Sequence, residues 1–489
     1  MKLSDIKRIN QRIYTLDTEI SRNSKVIFVA ALVICLTRNK DFRNSSKLTE
    51  LIDFNSEKQK PIDQLIELAC KEIDNMGLQE STKAAVKNSF KLISGVNTNL
   101  DRDRYEFQKF IAEFISNDFA SIQPTDLFFE NLYMEIDKKA SKSDTGIVLT
   151  PIFIAQLMVD LAEIDYKKDV IADLCSGTGL FSLLTYSKML GDMDNDYKNG
   201  IISKEESDKY YERLLNSIVA NDNEPKMVTL CLANFLLKSL NFELLYCSDI
   251  LTLSKSSFKI KDEKVSLTKA ILNPPYEDAY KPLEIIEKNI SLVKNGSNPN
   301  KVVVIVPPQK FGQKKDVFSR ILNIATLESV IKTQDDLFTD SGKSQPASIF
   351  VFNTSKSHTK NDVIHYYNFT DTGYVYLKDS GLVDKNGVFD ERKAALLARI
   401  SSENKDKKGN GFVRTWTNFY DVKKELEIDA QIDPLKIKSN KEEADITLEN
   451  ITIKRMLKEK RELIDGVGNC FKDEDGSFER YIIDILSED

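Results

Sequence analysis

The stretch DVIADLCSGTGLF, residues 169–181, decides the fold. The β-rich run DVIADLC (169–175) leads into a turn with glycines at Gly177 and Gly179, which opens a helical pattern. Glycines suit such a strand-to-helix turn because a Cβ would block close approach of a ligand, and the helix start offers free N–H groups. A dinucleotide fingerprint would need a third glycine where Ser182 stands, so NAD loses ground. No GK followed by Ser or Thr completes a Walker A loop, which excludes ATP hydrolysis by this chain.

Working outward, further β-rich runs alternate with helical patterns: SIVANDN (217–223), FELLYCSD (242–249), KAILNPPY (269–276), KVVVIVP (301–307), LESVIKT (327–333) and ASIFVF (347–352). Strands alternating with helices imply βαβ units and an α/β sheet with helices on both faces. Asp173 and Asp222 are 49 residues apart (222 − 173), against about 20 in a compact Rossmann unit, so residues 190–213 read as an insertion.

Before this region, residues 1–140 read as a helical domain: KPIDQLIELACKEIDNM and RYEFQKFIAEFISNDF space their apolar residues by three and four. Such a module is scaffolding or a partner- or DNA-docking domain; periodicity does not separate the two. The apolar run Val26–Leu36 has 11 residues, short of the about 20 that span a bilayer, and reads as a buried helix rather than a membrane segment or signal peptide. After residue 375 the pattern weakens. Residues 401–411 read as a flexible loop, 442–464 as a charged terminal helix, and 376–489 as a whole as a small C-terminal accessory region.

The chain has 489 residues, 69 Lys and Arg against 76 Asp and Glu, and a net charge of −7. A nucleic-acid partner would need a local basic patch or a helper subunit. Two histidines, His358 and His365, leave little room for zinc hydrolysis or for histidine-activated nucleophiles, and no metal site is expected. The six cysteines form no CxxC pair and read as free thiols of a reducing cytoplasm, where the chain is expected to reside.

The second chemical signal is Asn273-Pro274-Pro275-Tyr276, at the end of the fourth β-rich run. Two prolines stiffen the backbone just outside the carboxyl edge of the sheet, where open α/β sheets bind ligands. An amide oxygen and a backbone carbonyl then stand as two acceptors beside an aromatic ring, which fits a planar amino group. For an isolated NPPY, a plain proline turn is as good a reading.

Together, a glycine turn after the first strand and NPPY after the fourth resemble the N6-adenine DNA methyltransferases, above all the modification (M) subunits of type I restriction-modification systems. Gly146–Pro151 with the helical segment from Ile154, Asp222-Asn223-Glu224-Pro225, Ser248-Asp249-Ile250-Leu251 and Phe338 are similar to further family segments. Leu174 and Leu180 depart from the usual first-loop pattern.

The resemblance implies a Rossmann-like S-adenosylmethionine-dependent methyltransferase domain over 141–375, and transfer of a methyl group to the N6 amino group of adenine. Asn273 and the Pro274 carbonyl would accept the amino hydrogens, with Pro275 holding the turn and Tyr276 stacking on a flipped base that Phe338 borders. Asp173, Ser176, Gly177 and Gly179 would hold the methionine end of S-adenosyl-L-methionine, Asp222 the ribose hydroxyls and Asp249 the adenine amino group. Thr150, Pro151 and Asn273 complete the implied cofactor set. The implied partners are double-stranded DNA, a specificity (S) subunit and a restriction (R) subunit. A methyltransferase acting on RNA adenine or a protein glutamine amide, and a catalytically silent DNA-binding assembly subunit, stay open at this point.

Overall fold

In the computed structural model all seven β-rich runs join one sheet: β1 (Ile171–Asp173), β2 (Ile218–Asp222), β3 (Leu245–Cys247), β4 (Lys269–Leu272), β5 (Lys301–Val306), β6 (Thr326–Lys332) and β7 (Ser348–Asn353). The structure describes residues 3–16, 22–44, 46–94, 102–122, 127–137, 150–240, 242–296, 298–338, 346–359, 362, 364–377, 381–405 and 413–414. An eighth strand, β8 (Ile364–Asn368), and the two-residue strand Val413–Arg414 extend the sheet beyond what the sequence pattern indicates. The order is β3-β2-β1-β4-β5-β7-β6-β8, with Val413–Arg414 on the outer edge.

β7 runs antiparallel to both β5 and β6, and the neighbours from β3 to β5 are parallel. The strand order reverses between β1 and β4, which pair directly through Ile171 with Lys269 and Ala172 with Ala270. Such a reversal opens a crevice at the carboxyl ends of the two strands. β4 and β5 are buried along their whole length, because the sheet is covered on both faces. The α/β, Rossmann-like expectation is met.

The insertion at 190–213 is a helical hairpin. The helix after β1 runs on to Lys198, and a second helix, Lys204–Leu214, returns to β2. Ser203 starts the second helix with a capping box, its hydroxyl accepting from Glu206 N–H and the Glu206 carboxylate accepting from Ser203 N–H. Arg213 ties the hairpin to the sheet by donating to the carbonyls of Tyr166 and Asp169 at 2.8 and 2.9 Å.

The apolar run Val26–Leu36 lies in the helix Arg22–Arg38 and is buried on every side, as a helix apolar all round must be. It packs against Pro61–Asp74 and against Pro225–Leu237, the helix between β2 and β3. At roughly 1.5–3 kcal/mol per buried large aliphatic side chain, this helix is a principal anchor of the N-terminal module on the sheet. A second anchor is polar: Thr82 donates to Leu245 O (3.3 Å) and accepts from Cys247 N–H (3.2 Å), occupying ladder positions of the edge strand β3.

At the other end, the hairpin Tyr374–Leu377/Gly381–Asp384 runs across position 376, and the helix Phe389–Lys405 follows it. Tyr374 stacks on Phe153 with centroids 3.7 Å apart, and Phe389 meets both rings edge-on. Residues 401–405, read as part of a loop, are the last turn of this helix, whose buried Leu396 and Ile400 carry the apolar stripe to that point. Residues 406–411, the expected helix at 442–464, Gly146–Leu149 and Cys470 lie outside the described residues.

Candidate active site

The turn after β1 is shaped by its two glycines. Gly177 has φ +53° and Gly179 φ +95°, a region that L-residues with a Cβ avoid. A Cβ on Gly179 would lie 2.9 Å from the Cys231 Sγ, whereas one on Gly177 would meet nothing within 4 Å. Gly179 therefore permits close packing, and Gly177 faces an open cradle. Gly179 also starts the helix Leu180–Lys198, so the partial positive charge of that helix points into the turn.

Asp173 closes β1 with 0% exposure, its Oδ2 accepting from Ser182 N–H (3.0 Å) and Ser182 Oγ (2.7 Å). Ser182, which counted against NAD, thus holds the acidic residue of the turn. Burial pushes the Asp173 carboxyl up to about 7, with the Ser182 bonds pulling the other way and Asp222 adding to the rise. Its Oδ1 and the Ser176 Oγ are buried with no hydrogen-bond partner among the described residues.

Asp222 closes β2. Its Oδ2 accepts from Gly177 N–H at 2.8 Å and its Oδ1 from Glu224 N–H at 2.9 Å, and its carboxyl too is raised, chiefly by desolvation. Asn221 beside it donates to Leu174 O (3.3 Å) and Ser248 O (3.1 Å), joining the loops after β1 and β3. Asp249 is exposed after β3 and caps the short turn Ile250–Thr252 by accepting from Leu251 N–H at 2.9 Å.

On the neighbouring strand, β4 delivers Asn273. Its Nδ2 donates to Thr150 Oγ1 at 2.9 Å, which tethers the amide to the segment ahead of the helix Ile152–Leu161. Pro151 follows Thr150 and starts the helix Ile152–Leu161. Pro274 is buried and Pro275 half-buried. Tyr276 is 6% exposed and its ring meets Phe338 at 5.8 Å and 81°, edge to face. Burial raises the Tyr276 phenol well above its ordinary value, and its hydroxyl has no partner among the described residues.

The structure thus groups the sequence-derived residues into three contacts: Gly177 with Asp222, Asn273 with Thr150, and Tyr276 with Phe338. Asp249 caps its own turn and is connected to the others through the backbone of Ser248. Asn221 and Glu130 escape sequence reasoning, and Asn234, which with Leu232 and Ala233 is similar to a family segment, carries no role there. Asn234 donates from Nδ2 to Thr178 O at 2.9 Å and to Glu130 Oε1 at 3.3 Å. Their signal is absent from spacing, since Glu130 precedes Asn234 by 104 positions.

Chemically, the arrangement offers a glycine cradle beside two carboxylates, and next to it a rigid amide and carbonyl pair with two aromatic rings. Residues 128–303 match the model of the family described as N-6 DNA Methylase. A type II restriction enzyme and methyltransferase of Heyndrickxia coagulans is 27% identical over 289 residues, 56% of this chain and 42% of that protein. The chain therefore spans less than half the length of the curated relative it matches.

Among solved structures, one of a type I R-M system, concerned with its assembly and conformational transition, superposes with TM-score 0.57 at 15% identity, covering 99% of this chain and 98% of that one. The modification subunit of a putative type I restriction enzyme from Vibrio vulnificus YJ016 gives TM-score 0.54 at 13% identity, covering 85% and 92%. A type I methyltransferase subunit from Streptococcus thermophilus gives 0.53 at 12% identity, covering 87% and 98%. At these identities the structures establish a shared fold.

Proposed function

We propose that this chain, similar over residues 128–303 to the N-6 DNA methylases, transfers a methyl group from S-adenosyl-L-methionine to the N6 amino group of adenine in DNA. The observation that carries the reading is the placement of Asn273: it leaves β4 beside the glycine turn of β1, with its amide nitrogen held by Thr150.

The residues present fit the cofactor. Gly177 leaves open space where a Cβ would stand, Asp173 Oδ1 is a buried acceptor for a cationic amino group, and the Asp222 carboxylate suits a diol. Bound there, S-adenosyl-L-methionine supplies a methyl carbon made electrophilic by its sulfonium charge. Asp173, Ser176, Gly177 and Gly179 would hold the methionine end, Asp222 the ribose and Asp249 the adenine ring, with Thr150 and Pro151 lining the approach.

The chain's own part is alignment. Asn273 Oδ1 and the Pro274 carbonyl would accept the two amino hydrogens of the target, which draws the nitrogen lone pair out of conjugation and frees it to attack, one of the two protons leaving to solvent as the N–C bond replaces the S–C bond. Pro275 holds this pair rigid. The Tyr276 ring, backed edge-on by Phe338, would receive the base, which must leave the duplex to reach it.

We propose further that the chain acts in the cytoplasm as the modification subunit of a restriction-modification system, with an S subunit reading the DNA sequence and an R subunit cleaving it. A net charge of −7 favours holding DNA with help. Among the described residues no helix is long and apolar enough to cross a membrane.

The test is Asn273→Ala, assayed in parallel for cofactor binding and for methylation of duplex DNA, RNA and a glutamine-bearing protein. Retained binding with transfer to DNA abolished is expected; undiminished transfer, or transfer to RNA or protein alone, rejects the reading.

A further inference from the structure

We propose that Glu130, in the helix Phe128–Asp137 that precedes the catalytic sheet, is a positioning residue for the cofactor turn, acting through Asn234. The proposal rests on the cofactor-binding reading given above.

The turn 176–179 has two glycines and hence more backbone freedom than any other part of the site. Backbone bonds from Ser176 N–H to Asn221 O and from Gly179 N–H to Ser176 O hold it, and three side chains add to them. Gly177 N–H is bonded to Asp222, Gly179 is pressed against Cys231, and the carbonyl of Thr178, the residue between the glycines, accepts from Asn234 Nδ2 at 2.9 Å. Cys231 and Asn234 lie three positions apart on the helix Pro225–Leu237 and so share the face on which the turn rests.

A primary amide has two N–H groups on one nitrogen, and here both are used. One goes to Thr178 O; the other points at Glu130, 3.3 Å to Oε1 and 3.5 Å to Oε2. Glu130 therefore sets which way the Asn234 amide faces, because a reversed amide would set its oxygen against both the Thr178 carbonyl and the carboxylate.

Glu130 is 5% exposed, and a carboxyl group at such a site costs more than an apolar side chain that would fill the space equally well. Burial raises its carboxyl to about 7, against the pull of its bonds to Thr178 and Asn234 and of nearby Lys238. A packing role does not require a hydrogen-bond acceptor; holding an amide N–H does.

The test is calorimetric titration of S-adenosylmethionine into the full chain, together with KM and kcat for the cofactor. Glu130→Leu is expected to weaken binding about five- to tenfold, with kcat at saturating cofactor changed less than about twofold. Glu130→Gln, which keeps an acceptor in place, restores affinity to within about twofold of the unaltered chain.

Asn234→Leu reproduces most of the defect, and Glu130→Leu adds to it only what its own bond to Thr178 contributes, so the two losses are far from additive. If Glu130→Leu does not fold, Asn234→Leu and Glu130→Gln carry the comparison. Unchanged affinity in Glu130→Leu or in Asn234→Leu, or Glu130→Gln as weak as Glu130→Leu, overturns the proposal while leaving the methyltransferase reading intact. Absence of any binding heat from the unaltered chain would instead remove both.

Discussion

Asn273 Nδ2 donates to Thr150 Oγ1 at 2.9 Å, a bond between residues 123 positions apart that joins the exit of β4 to the segment ahead of the helix Ile152–Leu161. It fixes the amide of the residue on which the proposed chemistry depends. Thr150→Val keeps the shape and removes the acceptor. About 1 kcal/mol of orientation is lost, so kcat for DNA methylation should fall roughly fivefold, a larger loss than any in cofactor affinity. Steady-state kinetics with both substrates varied checks this; an unchanged kcat would show that the turn alone orients Asn273.

The two glycines should rank differently. Gly177→Ala adds left-handed backbone strain of about 1 kcal/mol and puts a methyl group into the open cradle, so it should cost cofactor affinity more than stability. Gly179→Ala adds the same strain and a 2.9 Å contact with Cys231 Sγ, for a stability loss of about 2 kcal/mol or more. Urea unfolding should show Cys231→Ala recovering part of the loss in the Gly179→Ala background and none in the Gly177→Ala background.

Stability of the cofactor-free chain should fall as pH rises from about 4 to about 7. An ordinary aspartate ionises near 3.8, so the unfolded chain has released the Asp173 proton where the folded chain, with its carboxyl at about 7, still holds it. Below this window both states are protonated and the group adds no slope; above it the cost of burying the charge is fully present. Glu130, also raised to about 7, slopes the same way. Denaturation midpoints for Asp173→Asn should decline less across the window than those of the unaltered chain, and an equal decline would show that Asp173 does not carry the effect.

Thr82 supplies to β3 what a further strand would. Thr82→Val leaves Leu245 O and Cys247 N–H without that hydroxyl and should destabilise the chain by about 1–2 kcal/mol, with Thr82→Ser recovering most of the loss. Hydrogen exchange at the Cys247 amide is the local readout: faster exchange in Thr82→Val is expected, and unchanged protection would show that the hydroxyl is dispensable.

Much of the fold was legible because its signals are local. β-rich runs ending in turns, the glycines at 177 and 179 and the prolines after Asn273 act within a few residues of themselves, and seven strands formed where they were expected. β8 carries no clear strand signal because Ile364–Asn368 mixes His and Asn with aromatics near the sheet edge, where the apolar pattern weakens. The helix Phe389–Lys405 goes unannounced in the sequence, and Ser401–Lys405 reads as loop because it is polar, although Leu396 and Ile400 commit the preceding turns to the core.

The sequence by itself determined the class of fold, the turn that forms the cradle and the rigid exit of β4, since each depends on steric rules acting between neighbours in the chain. Only the tertiary structure decided which side chains hold these parts still. Thr150 reaches Asn273 across 123 positions, Glu130 reaches Asn234 across 104, and Thr82 reaches Leu245 across 163. Hydrogen bonds of about 3 Å at such separations exist only once the sheet order and the packing of the N-terminal helices have brought the partners together, and no periodicity in the chain encodes them.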